Sequence, residues 1–480
     1  LSQESQVLQE KKDQPEQKKD KFSIDFSKPM WQSLILFFIP LVFSNVLQSL
    51  GGTVSSVLIG LKIGENALAA ASAVFPITFF LVSFVIGLGS ASSILIGQAF
   101  GSKKLERMKS TVGTSLTFSF LLGILSASAG ILFSDSLLAL IKTPAEIKAD
   151  ASKYMHVLFA GLPVLFLYVI YTTFLRGSGD SKTPFYFLVI STGLTILFTP
   201  MFLFGWGVPA MGLEGAALAQ IVASFISFLL LVGYLLKIKH PLALDRETIK
   251  KLRLDPQILR LMIKIGLPTS IQMIVVSLSE IAIVTFVNHF GAQATAAYGA
   301  ITQVINYVQI PAMSLGIAIG IFGAQLIGAN RQDRLDELVK ATVILNYAIG
   351  IVLTGLAYIF SRPILSMFLT DPMTVDIAQK SLYITLWSFI LLGNVIIISG
   401  LMRSSGTVFW PTLLVILGVL LVELPAAYIL SRTLGLYGVW LAYPISFTVL
   451  LIGQYVYYRK FWKNRTHERF FDKPEEQPTS

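Results

Sequence analysis

The stretch VLFAGLPVLFLYVIYTTFLRGSGDSKTP, residues 157–184, holds the two features that decide the fold. Its first eighteen residues, 157–174, are almost entirely apolar. They do not alternate apolar with polar, so they do not read as a strand of a membrane β-barrel. They do match the run of roughly 17–25 apolar residues with which a helix crosses a bilayer. The second part, FLRGSGDSKTP (174–184), has a partner 227 residues on, LMRSSGTVFWP (401–411). The alignment pairs Arg176 with Arg403, Gly179 with Gly406 and Pro184 with Pro411.

Working outward, the same offset recurs. GENALAAAS (64–72) lies on GAQATAAYG (291–299), and QAFGSKKLERM (98–108) lies on QLIGANRQDRL (325–335). GLEGAALA (212–219) matches GLYGVWLA (435–442) after a four-residue deletion. Shared greasiness does not explain glycines and arginines repeated in loops, so the chain reads as a duplication. Apolar blocks near 31–58, 68–95, 111–133, 155–175, 184–204 and 213–236 belong to the first copy. Those near 262–288, 294–322, 341–360, 382–402, 411–431 and 436–458 belong to the second. Six spans per copy is an even number, so both copies enter the membrane from the same side. The expected fold is an all-α polytopic membrane protein. Its twelve transmembrane helices form two parallel six-helix bundles, related by a pseudo-twofold axis along the membrane normal. The expected divisions are a disordered cytoplasmic tail (1–28), an N-terminal lobe (29–236), a cytoplasmic linker (237–260), a C-terminal lobe (261–460) and a second cytoplasmic tail (461–480).

Composition agrees. Hydrophobic residues make up 54% of the 480 and charged residues 13%, against about 25% charged in a soluble domain. Mean hydropathy is +0.71. With both termini inside, 30 of the 37 Lys and Arg fall in cytoplasmic segments. The exceptions are Lys62, Lys142, Lys148, Lys153, Arg362, Lys380 and Arg432. This positive-inside bias supports an even number of spans in a cell inner (plasma) membrane. It also makes the +10 net charge a sign of topology and of contact with anionic lipid heads, not of nucleic acid. No cysteine is present and the four histidines are scattered, which excludes thiolate chemistry and a His-based metal centre. No Walker, GxSxG or HExxH pattern occurs. The chain therefore reads as no enzyme and as needing no cofactor.

Two carboxylates lie deep in the spans, Glu280 in the seventh and Glu423 in the eleventh. A carboxylate in hydrocarbon is costly unless solvated or paired, so it points to function. With no Lys or Arg at matching depth, the missing partner is a cation: a proton, an organic cation, or sodium held transiently at Glu280 or Glu423. Gln272, Tyr298, Asn306, Tyr307 and Asn394 are candidate companions in the second copy. Asn45, Gln48 and Ser55 are candidate cleft residues in the first. Pro40, Pro200 and Pro425 are candidate hinges, since proline removes a backbone donor and kinks a helix. Arg176, Asp180 and Arg403 are candidate loop or gating residues on the cytoplasmic side.

These segments resemble the multidrug and toxic compound extrusion (MATE) transporters, within the superfamily that includes polysaccharide and lipid-intermediate flippases. The resemblance rests on GENALAAAS, IGQAFGSKKLERM and LRGSGDSKTP in the first copy. In the second it rests on KIGLPTSIQM, FVNHFGAQATAAYG and IGIFGAQLIGANRQDR. It covers about 30–460. It implies a V-shaped pair of lobes and efflux of small amphipathic, cationic organic compounds driven by sodium or protons; the chain is expected to work as a monomer. Two departures stand out. Many members carry an aspartate in the first span where this chain has Ser55. Another branch has a glutamate in the seventh span where this chain has Val276, with Glu280 one turn on. The competing expectation is a flippase or exporter of a lipid-linked or amphipathic anionic substrate.

Overall fold

The computed structural model describes residues 29–471 except 142, 206 and 468. The expected tail 1–28 and the end of the tail 461–480, from residue 472, lie outside the described residues. Long helices account for nearly all the rest: α1 (Met30–Lys62), α2 (Glu65–Gly101), α3 (Leu105–Leu132), α4 (Ala145–Ala160), α5 (Leu162–Gly177), α6 (Lys182–Phe204) and α7 (Leu213–Lys237). Then follow α8 (Pro256–Asn288), α9 (Ala292–Gly328), α10 (Leu335–Ile359), α11 (Pro372–Thr385), α12 (Phe389–Ser404), α13 (Phe409–Gly418), α14 (Leu424–Leu434) and α15 (Leu436–Tyr457). Among the described residues, eleven stretches are long and apolar enough to cross a membrane, or twelve if α4 and α5 count as one bent span. Helices satisfy their own backbone groups, which lipid cannot do. Large apolar side chains such as Leu132 (78% exposed) and Ile359 (74%) project from the bundle, as lipid-facing positions do.

The expected span 155–175 is not one straight helix. It is the bent pair α4–α5, which turns by 51° at Gly161. Pro163, two residues later, has no N–H to give to the preceding turn. A Cβ at 161 would run into the Ile221 side chain, so glycine lets that side chain pack closely where the chain bends. Among the expected hinges, Pro40 and Pro200 lie inside the unbroken helices α1 and α6. Pro425 does alter its helix, as described below.

The segment after α7 is pinned to the first copy. Lys109 Nζ on α3 pairs with Asp245 Oδ2 (2.7 Å) and with Glu247. Tyr171 donates to the Leu242 carbonyl (2.8 Å), and Lys251 pairs with Glu106. Partial burial opposes the charge on Asp245. Lys109 and the Thr248 N–H and hydroxyl outweigh it and hold the pKa down to about 2. Asp255 then caps α8, accepting from the amides of Gln257 and Ile258. The seventh span thus starts at Pro256, within the stretch expected to be linker.

The two sequence copies meet through α1, α2, α8 and α9. α8 packs most broadly on α2, α9 packs on both α12 and α2, and α1 lies mainly on α6. Close approach is concentrated at one end. A Cβ on Gly87 would strike Ser270 and the Gly266 carbonyl, and one on Gly101 would strike the Gln325 carbonyl. Met30–Leu41 of α1 packs there into a core with Leu315–Ile327 of α9. Toward the other end of the same helices, Gln48, Gln303, Asn306 and Tyr307 are exposed, and a Cβ on Gly52 or Gly299 would touch nothing.

Candidate functional site

Between α13 and α14 the helix widens into a π turn over Val419–Glu423. The local cause is Pro425, which cannot donate to the Leu421 carbonyl. Such one-residue bulges commonly mark functional positions. This one turns the Glu423 side chain inward, leaving it 5% exposed, while Leu421 stays 68% exposed.

The surroundings of Glu423 are sparse in hydrogen-bond donors. Ser279 Oγ on α8 lies 3.5 Å from Glu423 Oε1, but Ser279 also donates to the Val276 carbonyl at 2.8 Å. A serine has one hydrogen to give, and the shorter contact claims it. Ser446 on α15 flanks the carboxyl, its hydroxyl still short of a hydrogen bond to any described residue. Glu280, beside Ser279 on α8, is within electrostatic reach of Glu423, Tyr298 and Tyr443. Neither acid forms an ion pair with Lys or Arg among the described residues. An unpaired carboxylate this buried costs several kcal/mol when ionised. The arrangement favours a bound proton or a small cation at Glu423.

An aromatic wall borders the acids. Tyr298 lies on Trp440 with ring centroids 5.3 Å apart, Trp440 is 6.1 Å from Tyr443, and Tyr443 is 5.8 Å from Phe447. Phe389 closes against Phe447 at 5.2 Å. The rings pack on one another within the second-copy core, with Trp440 1% and Phe447 5% exposed.

The structure thus brings together Glu280, Glu423 and Tyr298 of the residues predicted from sequence. Glu280 is exposed on its helix and Glu423 is buried. Gln272 accepts weakly from Thr412 (3.4 Å), and Asn306 and Tyr307 are exposed on α9. Asn394 is buried in α12. Its Nδ2 donates to the Ile390 carbonyl (3.1 Å), and its Oδ1 has no partner among the described residues. In the first copy, Asn45 donates to Ser314 across to α9 (3.0 Å), while Gln48 is exposed and Ser55 half-buried on α1. Asp180 caps α6, accepting from the amides of Lys182 and Thr183 at 3.0 Å each. Arg176 and Arg403 are half-buried at the ends of α5 and α12. Sequence reasoning missed Trp440, Tyr443 and Ser446. Their i, i+3, i+6 spacing puts them on one face of α15, a signal hidden in a span that is apolar all round. No group of three or more His, Asp or Glu is arranged as a metal site among the described residues.

Comparison with known proteins gives consistent results. The MatE family model matches residues 40–201 and again residues 268–429. The chain is 50% identical over 443 residues to the probable multidrug resistance protein YoeA of Bacillus subtilis (strain 168), covering 92% of this chain and 96% of the relative. It is 28% identical to the FAD transporter of Shewanella oneidensis, covering 90% and 94%. The fold superposes with a TM-score of 0.83, at 20% identity and 90% and 96% coverage, on a multidrug resistance MATE family transporter of the MOP superfamily in an outward-facing conformation.

Proposed function

The chain belongs to the MatE family, and from that premise we propose that it exports small amphipathic, cationic organic compounds by cation-coupled alternating access. It is a multi-pass membrane transporter of the multidrug efflux type, not an enzyme. The observation that carries the finer reading is the buried, unpaired Glu423 beside an aromatic wall. A proton or sodium ion bound there neutralises the acid, and an organic cation competes for the same charge. Exchange of one for the other gives antiport.

In this reading residues 29–236 and 261–460 act as two lobes about an axis along the membrane normal. The 237–260 segment joins them on the cytoplasmic side of the plasma membrane, and the protein works as a monomer. The tight end at Gly101 and Gly328 is then cytoplasmic, and the looser end, with Asn306 and Tyr307, opens outward. Ser55 does not carry the ion. Arg176 and Arg403 frame the cytoplasmic end, and Asn45, Gln48, Gln272 and Asn394 supply polar lining.

The test is efflux of a fluorescent organic cation from proteoliposomes under an imposed sodium or proton gradient. One of the two gradients should accelerate efflux severalfold. Equal rates with both gradients collapsed would rule out the coupling. A second reading, export of an amphipathic anion, draws on the name of the Shewanella relative. It predicts FAD efflux in the same vesicles and no competition by organic cations.

A further inference from the structure

The tight end of the molecule is built from reciprocal contacts. Gln98 Nε2 donates to the Ser404 carbonyl (2.8 Å), and Gln325 Nε2 donates to the Gly177 carbonyl (2.9 Å). Gln98 and Gln325 are 227 residues apart, and so are Gly177 and Ser404. Each amide therefore crosses from its own copy to the same backbone position in the other. Both side chains are 1% exposed. Below them, a Cβ on Gly101 would collide with the Gln325 carbonyl, and one on Gly328 would collide with the Gln98 carbonyl. The seam is self-complementary, as a twofold interface is.

One strand of chain breaks that symmetry. The segment after α15 leaves the second copy at Trp462, whose Nε1 donates to Ser405 Oγ (2.8 Å) and whose ring stacks on His467 at 4.0 Å. The His467 N–H donates to Gln332 Oε1 (3.1 Å), and the Gln332 amide donates back to the His467 carbonyl (2.8 Å). The chain then crosses the seam. Phe470 N–H donates to Gln98 Oε1 (3.0 Å), filling the acceptor that the reciprocal pair leaves open. Phe471 is buried in the first-copy core. Lys104 Nζ donates to its carbonyl (2.8 Å), and the Arg107 guanidinium stands 5.9 Å over its ring. A segment packed only on its own half would make none of the bonds that span more than 360 residues of sequence.

We propose that residues 462–467 and 469–471 form a latch that straps the two halves together at the seam and sets how often that end opens. The latch rests on the alternating-access reading for its purpose. The seam cannot part while Phe471 sits in the first copy and His467 is held by Gln332 in the second. Each opening must release one of these anchors, so the strap biases the equilibrium toward the closed seam.

The 480 residues hold no cysteine, so Lys103→Cys and Lys340→Cys, both exposed at this end, provide a pair of spin-label sites. Distances between them by pulsed electron resonance report the seam directly. Truncation after Lys463 should raise the open-seam population about fivefold or more. Phe471→Ala and Gln332→Ala should shift it the same way by less, and they serve if the truncated chain does not fold. An unchanged distance distribution in all the folded variants overturns the latch. The distances do not depend on transport. Failure of vesicle efflux alongside a widened distribution would therefore sink the functional reading and leave the latch standing.

Discussion

The two copies of the repeat differ most where they are chemically richest. At the seam they are interchangeable: Gln98 does for one what Gln325 does for the other, and Gly101 matches Gly328. Farther along, they part. The α6 helix of the first copy runs unbroken through Pro200 and carries no carboxylate. Its counterpart in the second copy breaks into α13 and α14 around the π turn that buries Glu423. Likewise, at the 227-residue offset, α1 has Gly52 and Thr53 where α8 has Ser279 and Glu280. A duplicated scaffold keeps matched positions where the halves must fit each other. It is free to diverge where one site suffices.

The largest expected effect tests the matched positions. Gly101→Val and Gly328→Val each force a side chain into backbone that cannot yield, and overpacking of this kind costs about 1–3 kcal/mol or more. Thermal unfolding in detergent should show losses of similar size for the two. A loss at only one position would break the reciprocity. A smaller effect separates the glutamines. Gln98→Ala removes two bonds and Gln325→Ala one. At about 1 kcal/mol per bond, the Gln98 variant should be the less stable by roughly that amount.

The strap also carries a pH dependence. Burial, and then the nearby Arg465 charge, lower the His467 pKa from 6.5 to about 4 when the strap is docked. Between those values the released strap binds a proton that the docked one does not. Docking is therefore strongest above pH 6.5 and weakens as pH falls toward 4, by at most about tenfold per pH unit. The spin-label distances should widen over that window, and His467→Phe should flatten the response.

Much of this was legible in the sequence. Span positions followed from block length, since lipid forces each block into a helix. The repeat followed from matched helix-end residues such as Arg176 and Arg403. Glu423 stood out because a charge is rare at that depth. Three features did not follow. The packing of Ile221 against Gly161 at the bend joins residues distant in sequence. Trp440, Tyr443 and Ser446 could not be told from lipid-facing neighbours in a span that is apolar all round. The cross-donation of Gln98 and Gln325 was visible only as a repeated letter, because their acceptors are backbone carbonyls that every residue possesses.

The central claim is that the ion-coupled step resides in the second copy at Glu423. The direct measurement is gradient-driven efflux of an organic cation in proteoliposomes holding Glu423→Gln, compared with Ser55→Ala. The account predicts at least a tenfold loss of driven efflux for Glu423→Gln, with weakened binding of the organic cation, and near-normal transport for Ser55→Ala. Full gradient-driven transport in Glu423→Gln, or its loss in Ser55→Ala, would contradict it.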